Sequence, residues 1–526
     1  MMTYANRTPL PGADPLMGAN RATRLLVNRA WHDESIEALP DAATLYPRKE
    51  DELRVRLPTA RIITNKHLGL EISQAPQFKL GNEQAQTFLN RVLRLNGLRG
   101  AMRSAAITKS WAGDVGLLFA YKPSEREMFG TPWQVAFIQP ETYDVYSRYP
   151  SGVFKEVDIY TFEDRHDDAL KRMRRWWKLT RYSHAEIREW PEVEGPPDSP
   201  QRPQRREFEQ KATERPQDLR TQTNTLGVIP FVVIQNRSGD TQDWEGVSDY
   251  AHLTYLFHRI NVALNTLEQG EQIRNKLMLA LIDAEEVDVK TAAAITVLDV
   301  KSNEDGTTDR QAQIMPAPLS QAGSNGQVDT LTRLLDFTLE AAGVAQTGSA
   351  RELFGNEAAS SSALRTFYAM QTAVALHKRD NWLGERVDYG LSGFVRKFFR
   401  AVRRLDPAGA GFTADTDLDD EQFELTLDWP EMFALSAPER QTEASVAQQA
   451  NDDGLPPEIV ASRWGRVLDA TSPREIKQIT EAIRKRQEQV SAGLLAPPKP
   501  KGGILGSGQG DGLLPDGGSA TKVKPD

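Results

Sequence analysis

The sequence predicts an α+β protein, and three observations carry that expectation. Apolar residues recur at helical steps of three and four in several long segments. Short stretches rich in Val, Ile, Tyr and Trp read as strands between residues 142 and 190. The two patterns are mixed along the chain, and the whole is long enough, at 526 residues with 39% hydrophobic, for about three or four domains or subdomains around a substantial core.

The elements follow in order. Residues 1–60 read as an extended N-terminal arm. "NEQAQTFLNRVLRLNG" places Phe88, Leu89, Val92 and Leu93 on one helical stripe, with Asn82 positioned to cap it. "SAAITKSWAGDVGLLFAY" reads as helix, turn and strand. "TYDVYSRYP", "FKEVDIYTFED" and "RWWKLTRYSHAEIREW" read as strands, with "PSG" turning the first into the second. The proline-rich, charged stretch from residue 194 to 224 holds few apolar residues and is expected to stay an exposed, disordered loop at about 195–225. "GVIPFVVIQNR" restores order as an apolar strand.

Tyr250, Leu253, Phe257, Ile260, Leu264 and Leu267 form a heptad-like seam, and Val328, Leu331, Leu335, Thr338 and Ala342 repeat it more weakly. Between the seams lie an apolar start "KLMLALI", a strand-like "AAITVLDVKS", a turn "NEDGT" and a proline-rich exit "MPAPLS". From Leu364 to Leu405 apolar residues keep helical spacing over some forty residues, a reach of roughly 60 Å with a break near the middle. "FELTLDWP" reads as a strand. "SAPE" from Ser436 and "SPRE" from Ser472 read as capping boxes opening C-terminal helices. The Gly/Pro-rich tail after Leu495 is expected to be disordered.

Composition and motifs exclude several chemistries. Zero cysteines rule out disulfides, thiolate catalysis and cysteine zinc sites. A net charge of −9 argues against a basic surface that grips nucleic acid. No apolar run approaches the roughly eighteen residues of a membrane span, and the N-terminus lacks the blocks of a signal peptide, so a cytoplasmic origin is expected. There is no phosphate loop, no H-E-x-x-H and no G-x-S-x-G elbow; "GSGQG" at Gly506 is read as linker. Asp415 to Asp420 opens like a calcium loop but carries Asp420 and Thr426 where glycine and glutamate belong. His252 and His258, six apart on the first seam helix, face different sides, and His166 sits among acids in a polar connection. The pairs Trp176–Trp177 and Phe398–Phe399 are read as core packing. No enzyme class, metal site or cofactor emerges.

In their order, "RIITNKHLGLEIS", "SAAITKSWAGDVGLLFAY", "LGVIPFVVIQNR", "SDYAHLTYLFHRINVALNTLEQ", "SSSALRTFYAMQTAVALHKRDNW", "LTLDWPEMFALSAPERQTEASVAQQAND" and "DGLPPEIVASRWG" resemble the portal proteins, or head-to-tail connectors, of tailed double-stranded-DNA bacteriophages, siphophage type. The likeness spans about residues 60–480. Where that family commonly starts its long helix with a Ser-Gly-x-Ala-Leu pattern, this chain has Ser361-Ser362-Ala363-Leu364.

The resemblance implies a portal fold: a mixed α/β wing at 61–245, stem helices at 246–270 and 327–345, and a clip at 271–326. A channel (tunnel) loop would follow at 346–360, then the long wing helix and wing β part at 361–433, crown helices at 434–492 and a disordered tail at 493–526. It implies that Leu253, Phe257, Ile260, Leu264, Leu267, Leu331 and Leu335 pack the stem, and that Arg351, Phe354 and Asn356 line the channel. The implied partners are further copies of the chain in a closed ring of typically twelve, the terminase motor, head-tail adaptors, capsid and scaffold proteins, and duplex DNA passing without sequence specificity. The implied place is the capsid vertex of the virion, with assembly in the bacterial cytoplasm and no membrane, enzymatic activity or cofactor. Another virion component, a capsid or tail protein, is the alternative; a terminase would need the phosphate loop that is missing.

Overall fold

The computed structural model describes residues 21–35, 56–167, 172–195, 202–238, 244–275, 279–282, 286–292, 295–301, 313–316, 321–345, 368–384, 386–413, 416, 418, 421–430, 432, 437–452, 455–467 and 473–491. The architecture is mixed α and β, and the chain divides into two units, Met1–Phe433 and Ala434–Asp526.

The first unit opens with α1 (Arg21–Asp33), α2 (Thr59–Glu71), β1 (Gln77–Lys79), α3 (Glu83–Leu95), α4 (Leu98–Ala112), β2 (Asp114–Tyr121) and β3 (Trp133–Ile138). A run of strands follows: β4 (Tyr143–Arg148), β5 (Phe154–Asp167), β6 (Arg172–Ser183), β7 (Glu186–Glu189) and β8 (Val193–Glu194). Then come α5 (Arg205–Glu214), β9 (Arg220–Thr223), β10 (Phe231–Gln235), α6 (Thr254–Asn275), β11 (Leu279–Ile282), β12 (Glu286–Ala292), β13 (Ile295–Lys301) and β14 (Gln313–Pro316). α7 (Gln321–Ala341), α8 (Ala369–Leu383), α9 (Gly390–Leu405) and β15 (Thr426–Asp428) complete it.

At the centre is an antiparallel sheet in the order β10, β2, β3. Side chains alternate across a strand, and β10 buries both faces, which is why its sequence reads as unbroken Phe-Val-Val-Ile. Val232 and Ile234 join a core with Leu117, Phe119, Trp133, α3, α4 and α9. Phe231 and Val233 point the other way, into a core with Tyr143, Phe154, Val157 and Tyr389. The second core lies against a sheet in the order β4, β5, β6, β7, β9, with β8 paired to β6.

Local signals set the frame where chemistry is local. Asn82 Oδ1 accepts from the Ala85 amide at 3.0 Å and caps α3, and Leu89, Val92 and Leu93 are buried. The β4–β5 turn closes through Gly152 N to Tyr149 O and Tyr149 N to Val153 O, both 2.9 Å. Trp177 is buried while Trp176 is half-buried, and Phe398 and Phe399 are both in the core.

Five expectations need correction. The arm contains α1, whose Leu25, Val27, Ala30 and Trp31 are buried against α2 and α4. The stretch expected to be disordered forms α5 and β9; Phe208 is wholly buried with Tyr160, Trp177, Leu179, Trp190 and Val193. Its few anchors are strong: Gln204 and Glu207 form a capping box, Arg202 pairs with Asp144, and Arg205 stacks over Tyr146 at 3.6 Å. One buried aromatic and two stacked guanidiniums, Arg205 over Tyr146 and Arg202 over Tyr160 at 4.2 Å, thus order a segment whose mean composition is polar.

The long helix is two helices. At the corner between α8 and α9, Gly384 has φ +68 and Gly390 φ +65, and a Cβ on either would come within 2.5 Å of a backbone oxygen. Only glycine fits so close an approach in that conformation. The corner lets α8 run along α2 while α9 crosses the central sheet. Finally, His252 is not on a helix; it is exposed with φ +65 in the turn before Thr254, whereas His258 is buried on α6. His166 lies on β5 rather than in a connection.

The second unit is α10 (Ala437–Asp452), α11 (Pro457–Val467) and α12 (Pro473–Ser491). α10 packs on α11 and α11 on α12, around buried Ala447, Val460 and Ala461. Arg484 pairs with Glu458 at 2.9 Å. Helices α10 and α12 begin one residue after Ser436 and Ser472, which themselves lie outside the described residues.

Candidate functional site

The feature that stands apart from an ordinary core is a pair of helices, α6 and α7, that pack on each other and leave the body together. β11 pairs antiparallel with β14, Leu279 opposite Pro316, so the chain leaves α6 and re-enters α7 side by side. Between them β12 and β13 form a second antiparallel pair. The expected insertion at 271–326 is therefore a small β module carried at one end of a helical hairpin.

The other end is rooted in the body. Leu253 and Phe257 share a core with Ala342 and Val344 from the close of α7, with Leu25, Val27 and Trp31 of α1, and with Ala60 and Ile63 of α2. Trp31 meets Phe257 edge-on at 5.5 Å between ring centroids. Leu253 stands in the turn ahead of α6 rather than in the helical seam, and α6 runs to Asn275, past the expected 270. Farther out, Ile260 is buried, whereas Leu264, Leu267, Leu331 and Leu335 are half-buried. Val328 and Phe337 are 45% and 59% exposed on α7. Polar groups punctuate the seam: Asn261 Oδ1 accepts from Leu57 N at 2.9 Å, and Asn265 Nδ2 donates to Asn261 O at 2.9 Å.

Beneath the root lies a buried charge network that sequence reasoning missed. Glu71, Lys109, Asp249 and Lys378 are each at most 1% exposed. Lys109 Nζ pairs with Glu71 at 2.7 Å, and Lys378 Nζ lies 2.5 Å from Asp249 and 3.8 Å from Glu71. Trp382 Nε1 donates to Glu71 at 2.7 Å, Ser110 Oγ to Asp249 at 2.6 Å, and Asn236 Nδ2 to Asp249 at 2.9 Å. Two carboxylates face two ammoniums, so no net charge is stranded away from water. Thr64, Tyr250 and His32 extend the chain of bonds toward α1, with Thr64 Oγ1 2.7 Å and His32 Nδ1 2.9 Å from the Tyr250 hydroxyl.

The electrostatics follow from burial and pairing. Burial alone would raise the Glu71 and Asp249 carboxyls, but Lys109 and Lys378 beside the first, and Lys378 beside the second, hold both below the ordinary range. Burial brings Lys109 down to about 8 against the pull of Glu71. His67, whose Nε2 lies 2.9 Å from Ala342 O at the end of α7, is pushed down to about 4 by burial and by Lys378.

Backbone packing completes the root. Gly113 (φ +101) and Gly246 approach so closely that a Cβ on Gly113 would stand 2.3 Å from Gly246 O. Beside them Arg21 forks onto Asp114 at 2.8 and 3.0 Å, and Tyr143 and Gly246 N also donate to that carboxylate.

Arg351, Phe354 and Asn356, expected to line a channel, lie outside the described residues, as does most of Asp415 to Asp420. Among the described residues no group of three or more His, Asp or Glu side chains gathers as metal donors, and no helix is long and apolar enough to cross a membrane. No protein-family model matches the sequence, and no curated protein matches it either.

Proposed function

We propose that the chain is a phage portal protein: a non-enzymatic subunit of a closed ring at one capsid vertex, through which duplex DNA is packaged and ejected, and on which the terminase motor and head-tail adaptors dock. One observation carries the reading. A helical hairpin is fixed at one end to an α/β body by a buried charge network and bears a separate β module at the other.

A projecting hairpin with apolar side chains left exposed, here Val328 and Phe337, gains by packing on neighbours, and a head-to-tail interface that closes makes a ring. The net charge of −9 suits a conduit, because every phosphate held by a cation adds salt-sensitive affinity that opposes sliding. Arg351 is the residue proposed to touch phosphate, with Phe354 and Asn356 beside it in the channel wall.

Electron microscopy of the purified full chain tests the reading. Rings with a central hole wide enough for a duplex are expected. A protein that stays single-copy under all assembly conditions, or that turns over ATP, overturns it. Arg351→Ala tests the finer assignment: genome packaging and ejection unchanged from normal would remove Arg351 from the channel.

A further inference from the structure

The hairpin of α3 and α4 carries a cluster of exposed arginines. Arg91, Arg94, Arg99 and Arg103 are all exposed there, on two helices joined by Asn96 and Gly97. None of the four forms an ion pair among the described residues; Arg91 alone has a bond, to Gly130 O at 3.4 Å. In a chain of net charge −9, four exposed arginines gathered on one hairpin make a local concentration of positive charge.

The placement also works against the local fold. Arg99 is the second residue of α4, whose first turn holds no acid, so a cation sits at the positive end of the helix dipole. Arg99 and Arg103 stand four apart on the same helix, where like charges repel. Arg94, in the last turn of α3, is the one cation the local electrostatics favour. Features that cost a fold something locally and gain nothing from it are expected where a surface serves recognition.

Shape and polarity specify the recognised group. Arg91, Arg94, Arg99 and Asn90 line a groove of about 620 Å³. Its neighbour is an apolar lip: Met128 is 81% exposed, Phe129 45% and Leu95 41%. Leu95 lies against Gly130, where a Cβ would be 3.6 Å from its Cδ1, so lip and groove adjoin. The platform is rigid, since Asn96 donates to Val92 O and Trp133 O and accepts from Val135 N, tying the turn to β3.

We infer that this surface docks an acidic amphipathic helix of a partner protein, its carboxylates forked by the arginines and its apolar stripe laid on Leu95, Met128 and Phe129. Arginine, methionine and aromatic residues together are the composition of protein interfaces. A nucleic-acid backbone would use the arginines but leave the apolar lip uncovered. The inference does not rest on the ring.

The test uses the full chain and a labelled helical peptide of about 18 residues, Glu-rich with leucines on one face, read by fluorescence anisotropy. Binding is expected to weaken with added salt and to fall at least ~10-fold in Arg94→Glu/Arg99→Glu. It should be unchanged in Arg206→Glu/Arg215→Glu, which reverses two exposed cations on and after α5. A second variant, Leu95→Ser/Met128→Ser, alters only exposed side chains and should weaken the peptide several-fold at constant charge. Equal binding by the parent and both test variants overturns the inference. So does selective loss of binding to a duplex of about 20 base pairs with no peptide bound, which would make the surface a phosphate site. A changed oligomeric state of Arg94→Glu/Arg99→Glu in sedimentation would make it a contact between copies, and equally overturn it.

Discussion

Lys378 has to neutralise Asp249 and support Glu71 at once, and all three are buried. Removing one member of such a set leaves an opposite charge buried alone, which costs about 3–5 kcal/mol. Lys378→Met is therefore expected to lower unfolding free energy by that amount, read by chemical denaturation, whereas an exposed pair such as Lys79–Asp428 should be worth under about 1 kcal/mol. His67 adds a pH dependence of defined sign. Its folded value of about 4 lies below the ordinary 6.5, so the folded protein binds fewer protons than the unfolded chain between those values. The stability it contributes is full above pH 6.5 and is lost as the pH falls through 4, a difference of roughly 3 kcal/mol. Denaturation midpoints measured from pH 7 to 4 should fall, and should fall less in His67→Gln. At this scale the sequence carried one usable sign: Lys109 sits inside the apolar run "AAITKSWAG", where a solvated lysine is out of place. The rest of the network was invisible, because Glu71, which pairs with Lys109, is also met by Trp382 from 311 residues away.

Elements governed by short-range chemistry were predictable, and those governed by tertiary contact were not. The Asn82 cap, the β4–β5 turn and the buried β10 each announce themselves within a few residues. α5 does not, since what orders it is Phe208 in a pocket formed by Tyr160, Trp177 and Trp190. Phe208→Ala should cost about 3–5 kcal/mol locally and expose the stretch from 202 to 223 to limited proteolysis before the rest of the unit opens. The corner between α8 and α9 is a similar case: glycines at 384 and 390 were in view, but helical spacing on either side outweighed them. Gly390→Ala forces a Cβ to 2.3 Å from Leu383 O at positive φ, and a loss of at least about 2 kcal/mol is expected by thermal or chemical denaturation. The hairpin of α6 and α7 was legible as two seams, yet its root was not, because Leu253 and Phe257 pack on α1, a helix hidden in what reads as an arm.

For the molecule as a whole, the strands between α6 and α7 pair among themselves, β11 with β14 and β12 with β13, and join neither of the larger sheets. Replacing Leu279–Pro316 by a short Gly/Ser linker is expected to leave the body folded, with its near-ultraviolet circular dichroism retained. If the module were needed to hold the body together, that spectrum would collapse. The expectation of a body, a two-helix stem and an insertion thus has a physical test that does not depend on function.

The network beneath the α6–α7 hairpin also dictates an order of synthesis. A ribosome releases Glu71, Lys109 and Asp249 long before Lys378, so a growing polypeptide must carry Asp249 without its nearest ammonium until α8 emerges. Until then the early half has reason to stay open, and fragments ending before residue 378 should be chaperone clients rather than native-like intermediates. Closure of the body would be a late step of synthesis, set by the emergence of α8.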